Sequence, residues 1–238
     1  MGAIKAAEGG LASVLVLEAS IKTLEKVRIS GGGRCNVTNA CWDPSDLVPN
    51  YPRGQKSLIG AFSRFAAGDA VEWFSIRGLE LVVEEDGRLF PKSNSSIDVL
   101  NCLHRAASKS GVICLTKKPV IEIKYFTETG FYLKCSDGSE FTSRKVLLAT
   151  GGSPSGKKLA KQLGHKLIYA VPSIFSFKLS TSALKDCAGI TIDNVKLSLT
   201  LGEKVFKEVG RVLITHKGLS GPAILRLSAF AARKLFEE

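Results

Sequence analysis

The sequence predicts an α/β fold, with a Rossmann-like domain over residues 1–170 and a β-rich domain over residues 171–238. Two apolar runs support the first domain: SVLVLEA (13–19) ends in an acid, and KVLLATGG (145–152) ends in paired glycines. Continuous apolar runs of this kind are typical of buried parallel strands. A shift toward β-rich composition near Pro172 marks the second domain.

The elements of the first domain follow from apolar periodicity and turn residues. A serine ahead of a 3.6-residue apolar period predicts a helix start, and alternation around Asp-Gly predicts a hairpin. In chain order we expect a helix at 2–9, a strand at 13–19, a glycine loop at 30–33, a helix at 57–78, a hairpin at 79–91 turning at Asp86-Gly87, a helix at 95–111 capped by Ser95 or Ser96, and strands over 112–152 with turns at Thr129-Gly130 and Asp137-Gly138.

The β-rich domain is predicted to turn at Asp193-Asn194 and at Gly202, and to end in a helix with Ser220 as its cap and Pro222 in its first turn. A Rossmann half starts with a strand and a glycine turn ahead of its first helix. Neither precedes Gly2. We therefore expect the first strand to be missing and the chain to be truncated at both ends.

Composition limits the class of protein. The chain has 238 residues, 45% of them apolar, and no apolar run approaches the roughly 18–20 residues that cross a bilayer. Six cysteines without metal-ligand spacing favour no metal site and a reducing intracellular compartment, either cytoplasm or an organelle stroma or matrix. The oligomeric state is left open.

The net charge of +11 favours an acidic partner. A basic module that binds nucleic acid or RNA-bearing partners is therefore an alternative function. The lysines and arginines are dispersed, however, and no aromatic residues interleave with them as in nucleic-acid-binding surfaces. A small-molecule substrate is the expected partner.

The segment SGGGRCNVTN (30–39) is the strongest local signal for a binding site. Successive glycines expose backbone N–H groups that form an anion-binding nest. Arg34 adds a planar cation suited to phosphate or to a flavin carbonyl, and Asn36 adds an amide. Glu18 ends the preceding strand, where a Rossmann acid accepts hydrogen bonds from ribose hydroxyls.

Several motifs together resemble the BaiN/YhiN-like (HI0933-type) family of FAD/NAD(P)-binding flavoprotein oxidoreductases. They are SGGGRCNVTN (30–39), GRLFPKSNSSIDVL (87–100), LLATGG (147–152), VPSIFSFKL (171–179) and THKGLSGPAILRLS (215–228). The resemblance implies an FAD-binding domain interrupted by an insert, part β-barrel and part helical, that begins near Ser173. It also implies FAD as cofactor, NAD(P)H as a possible electron donor, and hydride transfer through the flavin to a small organic substrate. The cofactor-binding residues that it implies, together with those argued above, are Glu18, Lys26, Ser30, Gly31, Gly32, Gly33, Arg34, Cys35, Asn36, Val120, Thr150, Gly151 and Gly152.

Other interpretations remain open. His216 is a candidate acid/base or flavin contact between a strand and a helix N-terminus, and a structural loop histidine is the alternative. Cys35 and Cys41 could form a redox-active disulfide. Arg88 and Lys92 could face an anionic substrate, or be solvated turn charges. If the chain is truncated, a catalytically inactive flavoprotein fragment that does not bind FAD tightly is a further possibility.

Overall fold

The computed structural model describes residues 1–10, 13–179 and 184–238. The chain divides into two compact units. The first consists of residues 1–48 and 57–167, and the second of residues 49–56 and 168–238.

The secondary structure is mixed throughout. The helices are α1 (Gly2–Glu8), α2 (Glu25–Ile29), α3 (Pro44–Leu47), α4 (Gln55–Phe62), α5 (Ala67–Ser75), α6 (Ser96–Lys109), α7 (Pro154–Gln162) and α8 (Pro222–Glu237). The strands are β1 (Leu15–Leu17), β2 (Thr38–Asn39), β3 (Leu81–Val83), β4 (Arg88–Pro91), β5 (Ile113–Leu115), β6 (Val120–Phe126), β7 (Gly130–Cys135), β8 (Glu140–Ser143), β9 (Phe177–Lys178), β10 (Thr191–Leu201), β11 (Lys204–Thr215) and β12 (Gly218–Ser220).

The first predicted strand forms a parallel pair. β1 runs beside β5, with Leu15 opposite Ile113 and Leu17 opposite Leu115. The parallel pairing confirms the sequence prediction. The predicted burial of the strand is wrong at Leu15, which is 37% exposed. Within the described residues β1 pairs on one side alone, so its other edge stays open.

The second predicted strand is absent. Residues 145–150 form no helix or strand, and Leu147 is 73% exposed. A strand needs a neighbour to complete its hydrogen bonds, and in the described part of the chain no strand pairs with this segment. The apolar pattern still places alternate side chains inward, because Val146 and Leu148 pack against the core around Ile123.

Helix α6 and the β3–β4 hairpin form as predicted. The Ser95 hydroxyl accepts a hydrogen bond from the Ile97 amide at 3.3 Å, which caps α6. Val99, Cys102 and Leu103 of α6 then pack in the main core of the first unit.

The single helix expected at 57–78 is instead two, α4 and α5. The chain is extended at Ala66, whose amide donates to the Asp69 carboxylate at 2.7 Å. This contact starts a new helix at Ala67, because Asp69 occupies the position that satisfies the first free amides.

Strands β6, β7 and β8 form an antiparallel meander with the turns predicted from the sequence. Its inner face contributes Ile123 and Leu133 to a second core, and Leu159 of α7 covers them. Leu17, at the end of β1, reaches the same core.

The second unit is an antiparallel sheet in the order β10-β11-β12-β9, with α8 packed on it through Ala223 and Ile224. Gly202 turns β10 into β11 as predicted. The turn predicted at Asp193-Asn194 is wrong: Asn194, at φ 55°, sits in an irregularity inside β10, where an extra residue interrupts the ladder.

The predicted cap of the last helix is also wrong, because α8 is preceded by Gly221 and Ser220 belongs to β12. Gly221 has φ 97°, and a Cβ there would lie 2.8 Å from the Leu213 amide nitrogen. Glycine is therefore required between the strand and the helix.

Candidate functional site

Glu18 presents its carboxylate where β1 ends. Its amide donates to the Leu115 carbonyl at the end of β5, and its own carbonyl accepts from the Lys118 amide in the chain that follows, both at 2.9 Å, so the backbone is held on both sides of the residue. Oε1 accepts from the Ser20 amide at 2.8 Å and from the Ser20 hydroxyl at 2.9 Å. Among the described residues, Oε2 accepts no hydrogen bond, so it can accept one from a ligand hydroxyl.

The glycine loop adopts a left-handed backbone that other residues rarely adopt. Gly31, Gly32 and Gly33 have φ of 56°, 68° and 86°. The Cys35 amide closes the loop by donating to the Ser30 carbonyl at 3.0 Å, and the Ser30 hydroxyl donates to the Val27 carbonyl at 2.8 Å.

Space around the loop differs from one glycine to the next. A Cβ on Gly31 would lie 2.8 Å from the Asn36 amide nitrogen, whereas at Gly32 and Gly33 it would meet nothing within 4 Å. The backbone of the latter two glycines is therefore open to a ligand. Cys35 is also left-handed at φ 60°, but its thiol is buried in the main core, which holds this conformation in place.

Arg34 and Asn36 already have partners within the protein. The Arg34 guanidinium bonds to Glu84, donates to Asn94 and lies over Phe90. The side-chain amide of Asn36, oriented with its nitrogen toward the carbonyls of Thr38 and Leu89, donates to them at 2.8 Å and 3.2 Å; this orientation is assigned from the hydrogen bonds that it satisfies. Sequence reasoning assigned no role to Glu84, Phe90 or Asn94, since they lie 50–60 residues from the loop and no local spacing connects them to it.

A second glycine turn lies close to Lys26. A Cβ on Gly151, which has φ 60°, would be 3.2 Å from Lys26 Nζ. None of the described carboxylates forms an ion pair with this ammonium group. The turn leads into α7, and the Thr150 hydroxyl lies against Gly156 in the first turn of that helix.

The first unit thus brings most of the predicted cofactor residues into connected segments. Leu17, Val120 and Leu148 pack in one core. Glu18 follows Leu17 directly, and Val120 begins β6. Residues 150–152 come shortly after Leu148 in the chain. Lys26 connects the Gly151 turn to α2, and the glycine loop follows α2 directly.

His216 lies in the second unit. It occupies the exposed two-residue turn between β11 and β12. The expected position between a strand and a helix N-terminus is therefore wrong, because β12 intervenes before α8. Its role as a catalytic residue stays a prediction.

The remaining candidates are also placed. Cys35 and Cys41 are free thiols, the first buried and the second half-buried. Arg88 pairs with Asp86 at 2.7 Å, and Lys92 pairs with Glu80 at 3.0 Å. Their charges are therefore already balanced by neighbours in the hairpin.

Comparison with known sequences assigns the family. Residues 1–220 match the HI0933-like protein Rossmann domain. The chain belongs to this family. The α/β fold class and the family resemblance are both confirmed, and the glycine loop and the β1–Glu18 segment lie within the matched region of the HI0933-like domain.

Three curated relatives of the HI0933-like chain carry functional names. A 3-dehydro-bile acid delta(4,6)-reductase of Clostridium scindens is 30% identical over 247 residues, which cover 100% of this chain and 59% of the relative. A ribosomal RNA dihydrouridine synthase of Escherichia coli is 30% identical, covering 91% of this chain and 54% of the relative. A ribosomal RNA dihydrouridine synthase of Haemophilus influenzae is 26% identical, with 92% and 55% covered. The chain therefore spans somewhat more than half the length of these relatives.

Two kinds of site, a membrane-spanning helix and a metal centre, are absent from residues 1–10, 13–179 and 184–238. No helix there combines the length and apolar character needed to span a membrane. The same residues contain no group of three or more side chains arranged to hold a metal ion.

Proposed function

We propose that this chain is the cofactor-binding part of an FAD-dependent oxidoreductase that passes hydride from NAD(P)H to a carbon–carbon double bond conjugated with a carbonyl. The observation that carries the proposal is the Glu18 carboxylate at the end of a parallel strand, with Oε2 open and its backbone fixed at both ends. A carboxylate in this position accepts hydrogen bonds from ribose hydroxyls in dinucleotide-binding folds.

The other residues fit the phosphates of the same cofactor. The open backbone at Gly32 and Gly33 leaves room for close approach of a diphosphate, and so does the space beside Gly152. The Lys26 ammonium beside Gly151 adds a positive charge without a carboxylate partner among the described residues. Bound FAD would supply the ability to accept a hydride and donate it again; the protein's part is to hold and orient it.

The substrate class follows from the chemistry in two relatives' names. A delta(4,6) 3-dehydro-bile acid has double bonds conjugated with its 3-oxo group, and dihydrouridine is uridine saturated at the double bond next to a ring carbonyl. Reduction of such a bond takes a hydride at one carbon and a proton at the other. We therefore propose an enone-like substrate, with His216 as a candidate proton donor.

FAD titration tests the proposal, with fluorescence of the flavin as readout. We expect saturable binding to the purified chain, and Glu18→Ala to weaken it about tenfold because it removes a charge-assisted hydrogen bond. Glu122→Ala, which removes a half-buried carboxylate from the meander, is the matched control and is expected to bind like the unchanged chain. The absence of saturable binding would contradict the proposal and favour a fragment that does not bind FAD. Equal binding by the Glu18 variant would show that Glu18 does not hold the ribose, and would remove the observation that carries the proposal.

A second candidate function is action on RNA. Two observations favour it: the net charge of +11 and the names of the two dihydrouridine synthase relatives. In this case the conjugated double bond belongs to a uracil ring in RNA, and the excess positive charge attracts the phosphate backbone.

A further inference from the structure

We infer that Arg34 is a positioning residue, which fixes the glycine loop to the β3–β4 hairpin through Glu84 and Phe90 and to the turn before α6 through Asn94, and does not itself bind the cofactor. The consequence for FAD rests on the proposed function. The contacts themselves belong to this chain and can be tested without any cofactor.

The Arg34 guanidinium is engaged both in its plane and on one face. Nε donates to Asn94 Oδ1 at 3.1 Å, and Nη2 donates to Glu84 Oε1. Cζ lies 3.8 Å from the centroid of the Phe90 ring. A guanidinium can make these contacts together because its donors diverge within a plane whose face remains free to stack. These contacts commit two of the five N–H donors and one face of the guanidinium to neighbours within the protein, and a phosphate that approached Nε or Nη2 would have to displace one of them.

Phe90 supports the loop as well as the arginine. Phe90 is 2% exposed, and its Cε1 would lie 3.2 Å from a Cβ placed on Gly31. One buried ring therefore contacts the first glycine of the loop and also the residue that ends it. The run of three glycines is therefore held by Phe90 at its first residue, Gly31, and by Arg34 after its last.

Fixing both ends has a direct effect on binding. Glycine loses more backbone entropy on ordering than any other residue, so a free run of three glycines would resist adopting one conformation around a ligand. A loop already held in that conformation binds more tightly because the ordering cost does not fall on the binding step.

The charge of Glu84 favours a positioning role for Arg34 over direct binding of a phosphate. Glu84 bonds to Arg34 and also lies 3.6 Å from Arg88 Nη2. The carboxylate therefore neutralises much of the field that Arg34 would otherwise direct at an anion. An arginine used for phosphate binding is more effective without such a partner.

The experiment compares Arg34→Met, Glu84→Gln and the double variant. Glu80→Gln is the matched control, since it makes the same change in the same hairpin at the exposed Lys92 pair. Hydrogen exchange of peptides covering residues 30–36 is measured without FAD, and FAD affinity is measured separately. We expect both single variants to speed exchange and to weaken FAD binding about fivefold, with the double variant no worse than the stronger single one, because they break one network. The control is expected to change neither quantity.

A second substitution protects the test against misfolding. Arg34→Lys keeps the charge but cannot stack and donate to two acceptors at once. We expect it to speed exchange like Arg34→Met. If Arg34 instead binds the cofactor directly, Glu84→Gln will leave exchange unchanged and will not weaken FAD binding, while Arg34→Met will weaken it; that result overturns the inference. If neither the unchanged chain nor any variant binds FAD, the proposed function fails. The exchange data then still decide whether Arg34 holds the glycine loop through Glu84 and Asn94.

Discussion

At the scale of single residues, backbone conformation decides which positions in the loop accept a side chain. Gly31 and Gly32 share a left-handed backbone but differ in surroundings: the first is crowded by Asn36 and Phe90, and the second is open. Substitution at Gly32 should therefore measure the loss of stability from backbone conformation alone, and substitution at Gly31 should add the loss from steric contact.

Substituting these glycines with alanine should produce two different losses of stability. We expect Gly32→Ala to lower the free energy of unfolding by about 1 kcal/mol, the cost of a left-handed alanine. Gly31→Ala should lower it by about 2–3 kcal/mol, because its Cβ must also displace the Asn36 amide. Urea unfolding followed by tryptophan fluorescence measures both, since the two tryptophans, Trp42 and Trp73, lie in the first unit. Equal losses would show that the loop relaxes around the added methyl group.

The sequence predicted residue types at this loop better than it predicted their partners. Three adjacent glycines by themselves indicate an unusual backbone, and the loop adopts one. The local pattern could not show that Glu84 and Asn94 would engage Arg34, because contacts across 50–60 residues depend on how the hairpin and α6 dock.

At the scale of elements, the caps and turns that neighbours in sequence form by themselves could be predicted, as at Ser95 and in the β3–β4 hairpin. The cap expected at Ser220 and the turn expected at Asp193-Asn194 were wrong, because those residues lie within strands. Ser95 starts α6 as its sequence predicts, because the cap is formed by neighbours in sequence. The segment 145–152 carries a strand pattern and yet forms no ladder with any described strand, since a strand exists only with a partner. β1 has a partner strand, β5, and is parallel as predicted. It is less buried than expected because, among the described residues, it has a neighbour on one side alone.

The turn between β7 and β8 should contribute stability that depends on pH. Asp137 accepts hydrogen bonds from Lys118 at 2.5 Å and from the Ser139 hydroxyl at 2.6 Å. The hydrogen bond from Lys118, followed by those from Ser139, holds the pKa of this carboxyl well below its usual 3.8. The unfolded chain therefore binds a proton at a higher pH than the folded chain, and the stabilisation is present above pH 3.8 and lost as pH falls below it.

Asp137→Asn tests this turn by removing the titrating group. We expect the variant to be less stable than the unchanged chain at pH 6, and the difference to narrow between pH 4 and pH 2. Urea unfolding across that range, with Asp186→Asn at an exposed carboxylate outside this turn as the matched change, measures the difference. A gap that stays constant with pH would mean that the carboxyl titrates alike in both states.

At the scale of the whole molecule, the family could be read from the sequence, whereas the placement of its chemistry could not. Long motifs such as SGGGRCNVTN identify the HI0933-like family because they extend over many positions at once. The location of His216 in an exposed strand turn, by contrast, depends on a short strand, β12, that three residues encode weakly.

The excess of positive charge belongs to the molecule as a whole and predicts how RNA binding should respond to salt. If the chain contacts about four phosphates of a single strand, the logarithm of its affinity should fall with the logarithm of salt concentration with a slope of about −3. Affinity would then fall about 50-fold between 50 and 200 mM salt. Fluorescence anisotropy with a labelled uridine-rich RNA measures this slope, and an uncharged peptide nucleic acid of the same sequence is the control. Binding that ignores salt, or that is equal for the uncharged probe, would remove charge as an argument for an RNA substrate and leave the small conjugated substrate as the one supported candidate.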